Sequence, residues 1–318
     1  MTLRKQVFAA LILFFVLSFQ NTIFSQNKGK YPALLWQISG NGLSKPSYLY
    51  GTMHVSNKLA FHLSDSFFVA LKSADIIALE TNPQEWLENM KEMGMFDAEQ
   101  NYGAYNFFGG GGGGDFYTSA FKFSVPDNKE IGFVLASDPD LVNGLLYRSY
   151  EMLGNHEENT YLDLFIFQSA KKLDKQVTNL EDFKQSEKMV EEASIPDPDE
   201  EEEVQKYYKG MYENRYGLQE KIEDAYRKGD LDALDSLSRL TYPSKKYEKW
   251  MLHLRNEVMV RGMDSIMKKQ ILFTGVGAAH LPGEKGVIEL LRKKGYKVRP
   301  VNFVVSKNSI KEKEKIEK

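Results

Sequence analysis

The sequence predicts an α/β fold, a mixed central sheet flanked by helices, and three observations predict it. Short apolar runs of strand type alternate with segments whose apolar residues recur at helical spacing. A Gly-Asn-Gly turn at positions 40–42 joins the first two runs as a hairpin. Two runs, one early and one late in the chain, empty into the same Gly-x-x-His pattern: Gly51-Thr52-Met53-His54 and Gly277-Ala278-Ala279-His280. A glycine lets the backbone turn as it leaves a strand. The histidine three residues on is then carried on the rim of a sheet.

Taken in order, residues 34–39 and 47–50 are the hairpin strands. Phe67, Phe68, Ala70 and Leu71 follow at helical spacing behind a cap at Ser64 or Asp65. Residues 76–79 are a compact apolar strand that Pro83 prevents from continuing, which leaves Glu80 at its tip. Between 84 and 150 the pattern weakens into a variable region. The glycines at 109–114, flanked by Phe107, Phe108, Phe116 and Tyr117, suit neither helix nor strand. They read as a surface loop, or as a flap whose aromatics close over a bound chain.

Residues 161–172 form an amphipathic helix, and 177–180 a strand ended by Glu181-Asp182. A helical insertion is expected over 190–270. Its acidic stretch at 196–203 reads as a solvated linker, and Lys228-Gly229-Asp230 breaks one helix and caps the next. One long helix over 244–269 carries a stripe of Tyr247, Trp250, Met251, Leu254 and Val258. His253 falls off that stripe and reads as solvated; Arg255 lies at its edge, within reach of a site at the sheet rim. A strand at 271–274, a helix at 285–294 ended by Gly295, a strand at 297–304 and a charged tail at 306–318 complete the chain.

The strand ends collect His54, Glu80, Glu181 and His280, and ligand crevices in open α/β sheets lie outside the carboxyl ends of the strands. Two imidazoles with one or two carboxylates make a site for a divalent transition metal such as zinc. Such an ion acidifies bound water and polarises a carbonyl, the chemistry of hydrolysis. Without an ion, His54 serves as a general base oriented by Glu80. A non-catalytic protein that sequesters a peptide or small ligand on the same rim is the rival reading. His156-Glu157 opens like a zinc-peptidase helix motif, but Thr160 stands where its second histidine belongs. His62 precedes a helix and reads as a surface residue.

Composition narrows the classes. With 42% hydrophobic and 27% charged residues the chain is an ordinary globular one, and a net charge of −3 gives no footprint for nucleic acid. It has no cysteine, which excludes disulfides, thiolate ligands and a cysteine nucleophile. Arg4 and Lys5 precede an apolar run over 7–19, the pattern of a signal peptide over 1–25 with Ser25 at the cleavage point. Export to a periplasm or beyond is expected, and the same run left uncleaved would be a membrane anchor. The mature domain would occupy 26–305.

Several of these residues also resemble a known family. Leu35-Trp36-x-Ile38-Ser39 with its hairpin, Gly51-Thr52-Met53-His54, and Leu79-Glu80-Thr81 are similar to the TraB/GumN family, which includes the pheromone-shutdown proteins and the Wnt-inactivating TIKI proteases. The resemblance continues through Tyr161-Leu162-Asp163, Asn179-Leu180-Glu181-Asp182, Arg255-Asn256 and Gly277-Ala278-Ala279-His280-Leu281-x-Gly283-x-x-Gly286, and fits the bacterial GumN-like branch best. It implies a fold related to the erythromycin-esterase and haem-binding ChaN-like proteins. It also implies a metalloprotease dependent on manganese or cobalt, acting on a peptide or protein substrate. The implied roles fall on His54, Glu80 and His280, as metal ligands or catalytic groups, with Arg255 contacting an oxyanion or carboxylate. Glu181 is a further candidate, set behind them to orient an imidazole.

Overall fold

The computed structural model describes residues 29–54, 58–85 and 162–317. The expected signal segment, the glycine run and His156 lie outside the described residues. Among the described residues six strands form one sheet: β1 (Leu35–Gly40), β2 (Ser47–Thr52), β3 (Ile76–Leu79), β4 (Gln176–Asn179), β5 (Leu272–Gly277) and β6 (Tyr296–Pro300). Their spatial order is β4-β3-β5-β2-β1-β6. β4, β3, β5 and β2 run parallel, while β1 is antiparallel to both β2 and β6. The sheet is therefore mixed.

Local chemistry explains each boundary. Gly40, Asn41 and Gly42 all adopt positive φ and turn the β1–β2 hairpin. Ser64 caps α1 (Asp65–Ser73) by accepting from the Phe67 N–H. α2 (Leu162–Lys172) buries Leu162, Phe165, Ile166 and Ala170 and leads into β4. Asp182 caps α3 (Phe183–Ser194). α4 (Glu201–Arg227) ends at Gly229, with φ of +66°, and Asp230 caps α5 (Leu231–Ser238).

The acidic residues expected to lie in a linker instead open α4. Glu201, Glu202 and Glu203 occupy its first turn, where negative charge offsets the positive end of the helix. The long helix expected over 244–269 is also corrected, into α6 (Lys245–Glu248), a π-helical turn at Lys249–Leu254 and α7 (Arg255–Met267). His253 is not solvated: it is half-buried on that turn, its Nε2 3.7 Å from Glu248.

After β5, Ala278–His280 form one 3₁₀ turn, and α8 (Val287–Lys293) returns the chain to β6. β6 is shorter than expected. Pro300 has no N–H to give the ladder, and the Val301 N–H makes a last bond to the Leu35 carbonyl of β1. The chain beyond it leaves the sheet, where the Val304 carbonyl accepts from the Asp65 N–H. The charged tail folds as α9 (Lys307–Glu317), which lies against α1 and α2 and buries Ile316.

Trp36, Ile38, Leu49, Phe67, Ile77, Phe165 and Phe273 are among the fully buried core side chains. Each contributes about 1.5–3 kcal/mol of burial, and together they fix the strands whose carboxyl ends carry the site. No helix among the described residues is long and apolar enough to cross a membrane.

Candidate functional site

The site is built at the carboxyl ends of β2, β3 and β5, the last lying between the other two. β2 and β5 pair in parallel with Thr52 opposite Gly277, so both Gly-x-x-His segments leave neighbouring strands at one level. Gly51 is needed there for closeness: a Cβ on it would lie 3.2 Å from both Ala278 Cβ and Leu281 Cδ2. Gly277 marks the centre. A Cβ built on it would lie 3.1 Å from Glu80 Oε1, 3.3 Å from His54 Nε2 and 3.4 Å from His280 Cδ2. Its backbone N–H donates to Glu80 Oε1 at 2.7 Å. His54, Glu80 and His280 are thus gathered around one glycine.

Each imidazole is anchored through Nδ1. His54 Nδ1 lies 2.9 Å from Asp163 Oδ2, and the other oxygen of that carboxylate accepts from Thr52 Oγ1 at 2.8 Å. His280 Nδ1 lies 2.7 Å from Asn256 Oδ1, while Asn256 Nδ2 donates to the Lys285 carbonyl at 2.9 Å. Asp163 and Asn256 are 3% and 2% exposed, so these anchors are internal. Both histidines therefore turn Nε2 toward the carboxylate, with His280 Nε2 4.0 Å from Glu80 Oε1.

Glu80 Oε2 accepts from Arg255 Nη2 at 2.7 Å. The same guanidinium grips Glu181, through Nε at 3.0 Å to both oxygens and Nη2 at 2.6 Å to Oε2. Glu181 thus acts on the site through Arg255, and the imidazoles are oriented by Asp163 and Asn256. Arg255 is committed to two carboxylates and sets the charge of Glu80. Removing the buried cation would leave the buried Glu181 and the partly buried Glu80 uncompensated.

Burial alone would raise the Glu80 carboxyl. Arg255, His280, His54 and the Gly277 N–H outweigh it and hold the group well below the usual carboxylate range. Burial would lower His54, but the Asp163 charge and hydrogen bond prevail and raise it above its ordinary value. The pocket thus holds a firmly ionised carboxylate beside an imidazole of enhanced basicity.

The π-helical turn gives Arg255 its aim. Wider turns shift the phase of a helix, and such turns occur often at functional sites. Arg255 and Asn256, the first two residues of α7, are consequently both buried and both directed into the site. A uniform 100° wheel put Arg255 only at the edge of the apolar stripe. Local sequence signals assign no role to Asp163 or Asn256. The signal available for Asp163 was a carboxylate in the otherwise apolar first turn of α2, which buries it. His62 stands outside the site, its ring edge-on to Phe303 at 5.0 Å.

Two anchored imidazoles and a carboxylate are the right donors for a divalent ion, and Nδ1 anchors of this kind accompany metal-ligating histidines. Both Glu80 oxygens already accept hydrogen bonds. Among the described residues no group of three or more His, Asp or Glu side chains is arranged to hold an ion. The donor chemistry fits; the coordinating arrangement is not formed in this conformation.

A family model described as the TraB/PrgY/gumN family matches residues 34–104 and 139–300, a span that holds every side chain of the cluster. No curated protein and no solved structure gives a significant match.

Proposed function

The chain belongs to the TraB/PrgY/gumN family, and on that premise we propose that it is a metal-dependent hydrolase of peptide bonds. The observation that carries the reading is the convergence of His54 Nε2, Glu80 Oε1 and His280 on Gly277, with both imidazoles anchored at Nδ1. His54 and His280 would hold the ion through Nε2, and Glu80 through Oε1. Manganese, cobalt and zinc suit that donor set. When bound, such an ion makes its water acidic enough to attack a carbonyl near neutral pH.

The chain's own residues do the rest. Glu80 stays ionised over the working range, which fits an anionic ligand better than a proton acceptor. Arg255 and the Gly277 N–H fix its two oxygens, and Glu181 fixes Arg255 in turn. Asp163 and Thr52 hold His54 in place. The basic, apolar pattern at residues 4–19 supports export, which would place the activity in a periplasm or outside the cell.

The test is elemental analysis of residues 26–318 beside a His54→Ala/His280→Ala control, followed by a peptide-library screen with each metal. Near-stoichiometric metal in the parent alone, with turnover, supports the reading. No metal uptake in either protein, even after reloading, removes the ion from it.

One observation favours a second reading. The His54–Asp163 pair is a base with its orienting carboxylate. His54 would then take a proton from water directly and hydrolyse an ester or amide without metal. Turnover undiminished by chelation would select this form.

A further inference from the structure

Asn256 settles where the proton of His280 sits. A backbone carbonyl can only accept, so the 2.9 Å contact to Lys285 O must come from the Asn256 amide nitrogen. The amide oxygen is thereby turned to His280 Nδ1, 2.7 Å away, and an amide oxygen also only accepts. His280 Nδ1 must therefore carry hydrogen. In the neutral ring that leaves Nε2 with the lone pair, on the side of Glu80 Oε1.

We propose that Asn256 is a positioning residue that locks neutral His280 as the Nδ1–H tautomer, through a relay from the Lys285 carbonyl. The inference rests on the site described above, but it concerns a tautomer and holds with or without a bound ion. Its logic extends to the helix junction. The π-helical turn delivers two consecutive residues, one fixing Glu80 and the next fixing His280. One turn of backbone thus sets the orientation of two of the three groups around Gly277.

The role differs from simple packing in what its loss does. An isosteric apolar residue such as leucine would preserve most of the buried volume while removing the acceptor. The neutral ring would then be released to the other tautomer, whose Nε2–H cannot accept a proton or bind an ion. Aspartate would keep an acceptor facing Nδ1 but lose the donor to Lys285.

The experiment is ¹⁵N NMR of full-length mature protein labelled at histidine, in EDTA and at a pH where the rings are neutral. His280 is identified by comparison with His280→Gln. The two ring nitrogens report directly which one is protonated. The parent should show only the Nδ1–H form, Asn256→Leu predominantly the Nε2–H form, and Asn256→Asp the Nδ1–H form again. An Nε2–H ring in the parent, or an Nδ1–H ring that persists in Asn256→Leu, overturns the proposal. If Asn256→Leu fails to fold, the parent spectrum and Asn256→Asp still decide it. Absence of metal or of hydrolase activity would leave these spectra unchanged, so the two readings fail separately.

Discussion

The backbone N–H of Gly277 donates to Glu80 Oε1 at 2.7 Å, and a Cβ on Gly277 would lie only 3.1 Å from that same oxygen. The glycine thus supplies a hydrogen bond and the space beside it. Its φ of −48° and ψ of 130° suit any residue, so the demand for glycine comes from the neighbours and not from the backbone. Gly277→Ala should therefore fold, with a melting temperature close to the parent. It should displace Glu80 and the two imidazoles by a few tenths of an ångström. Catalytic groups misplaced by about 1 Å lose roughly 10²-fold, so a loss of about tenfold in kcat/KM is expected. Parent-like turnover in a folded Gly277→Ala protein would show that this cluster is not the reaction centre.

The ionic set Glu80–Arg255–Glu181 predicts opposite outcomes for its members. Glu80→Gln keeps an acceptor for the Gly277 N–H and leaves Arg255 paired to Glu181, so the fold should persist while turnover is abolished. Arg255→Met instead strands the buried Glu181 carboxylate and the partly buried Glu80. Breaking a buried pair by removing one partner costs about 3–5 kcal/mol, which denaturant melts would resolve readily. Lysine should rescue little, because it cannot grip two carboxylates through a planar fork. Equal stabilities for the two variants would mean that Arg255 is not the electrostatic keystone of the rim.

Much of this was legible before the structure, and the boundary has a physical cause. The strands, the hairpin and both Gly-x-x-His segments depend on local signals: apolar runs, turn glycines, a proline stop. The placement of His54, Glu80, Glu181 and His280 at strand ends follows from those signals alone. The anchors were not visible, because Asp163 and Asn256 act across 109 and 24 residues of sequence. The one local signal is Asp163 itself, a carboxylate in the otherwise apolar first turn of α2, and it does not name its partner. The aim of Arg255 was obscured by the π-helical turn, which breaks the regular phase that a helical wheel assumes. The tail reads only as charged, yet Ser309 and Ile316 give it a buried face.

That buried face makes a prediction. Ile316 is 6% exposed, its carbonyl accepts from Lys172 Nζ, and Lys72 pairs with Glu312 on the same helix. Truncating a buried isoleucine to alanine costs about 2–5 kcal/mol. For Ile316→Ala the expected loss is about 2 kcal/mol, the low end of that range, because a terminal helix can settle into the space. Lys315→Ala, on the exposed side, should change stability negligibly. Equilibrium denaturation of both variants checks this, and an undisturbed Ile316→Ala would mean that α9 detaches at little cost.

The His54–Asp163 pair predicts a pH dependence whose sign is fixed. Burial would lower the His54 pKa, but Asp163 raises it above the ordinary value of 6.5. Folding therefore favours the protonated ring. That contribution is fully present below the unfolded pKa and is lost as pH rises through the higher folded value. Asp163→Asn removes the charge that raises it and leaves burial in command. Its penalty should be largest near pH 5.5, below the ordinary value, and should shrink toward pH 9 as pH rises through the raised folded value. Melting curves of parent and variant across that range, in EDTA to exclude any bound ion, give the comparison. A pH-independent difference would show that His54 gains nothing from Asp163 beyond orientation, and a larger penalty at pH 9 would reverse the assigned sign.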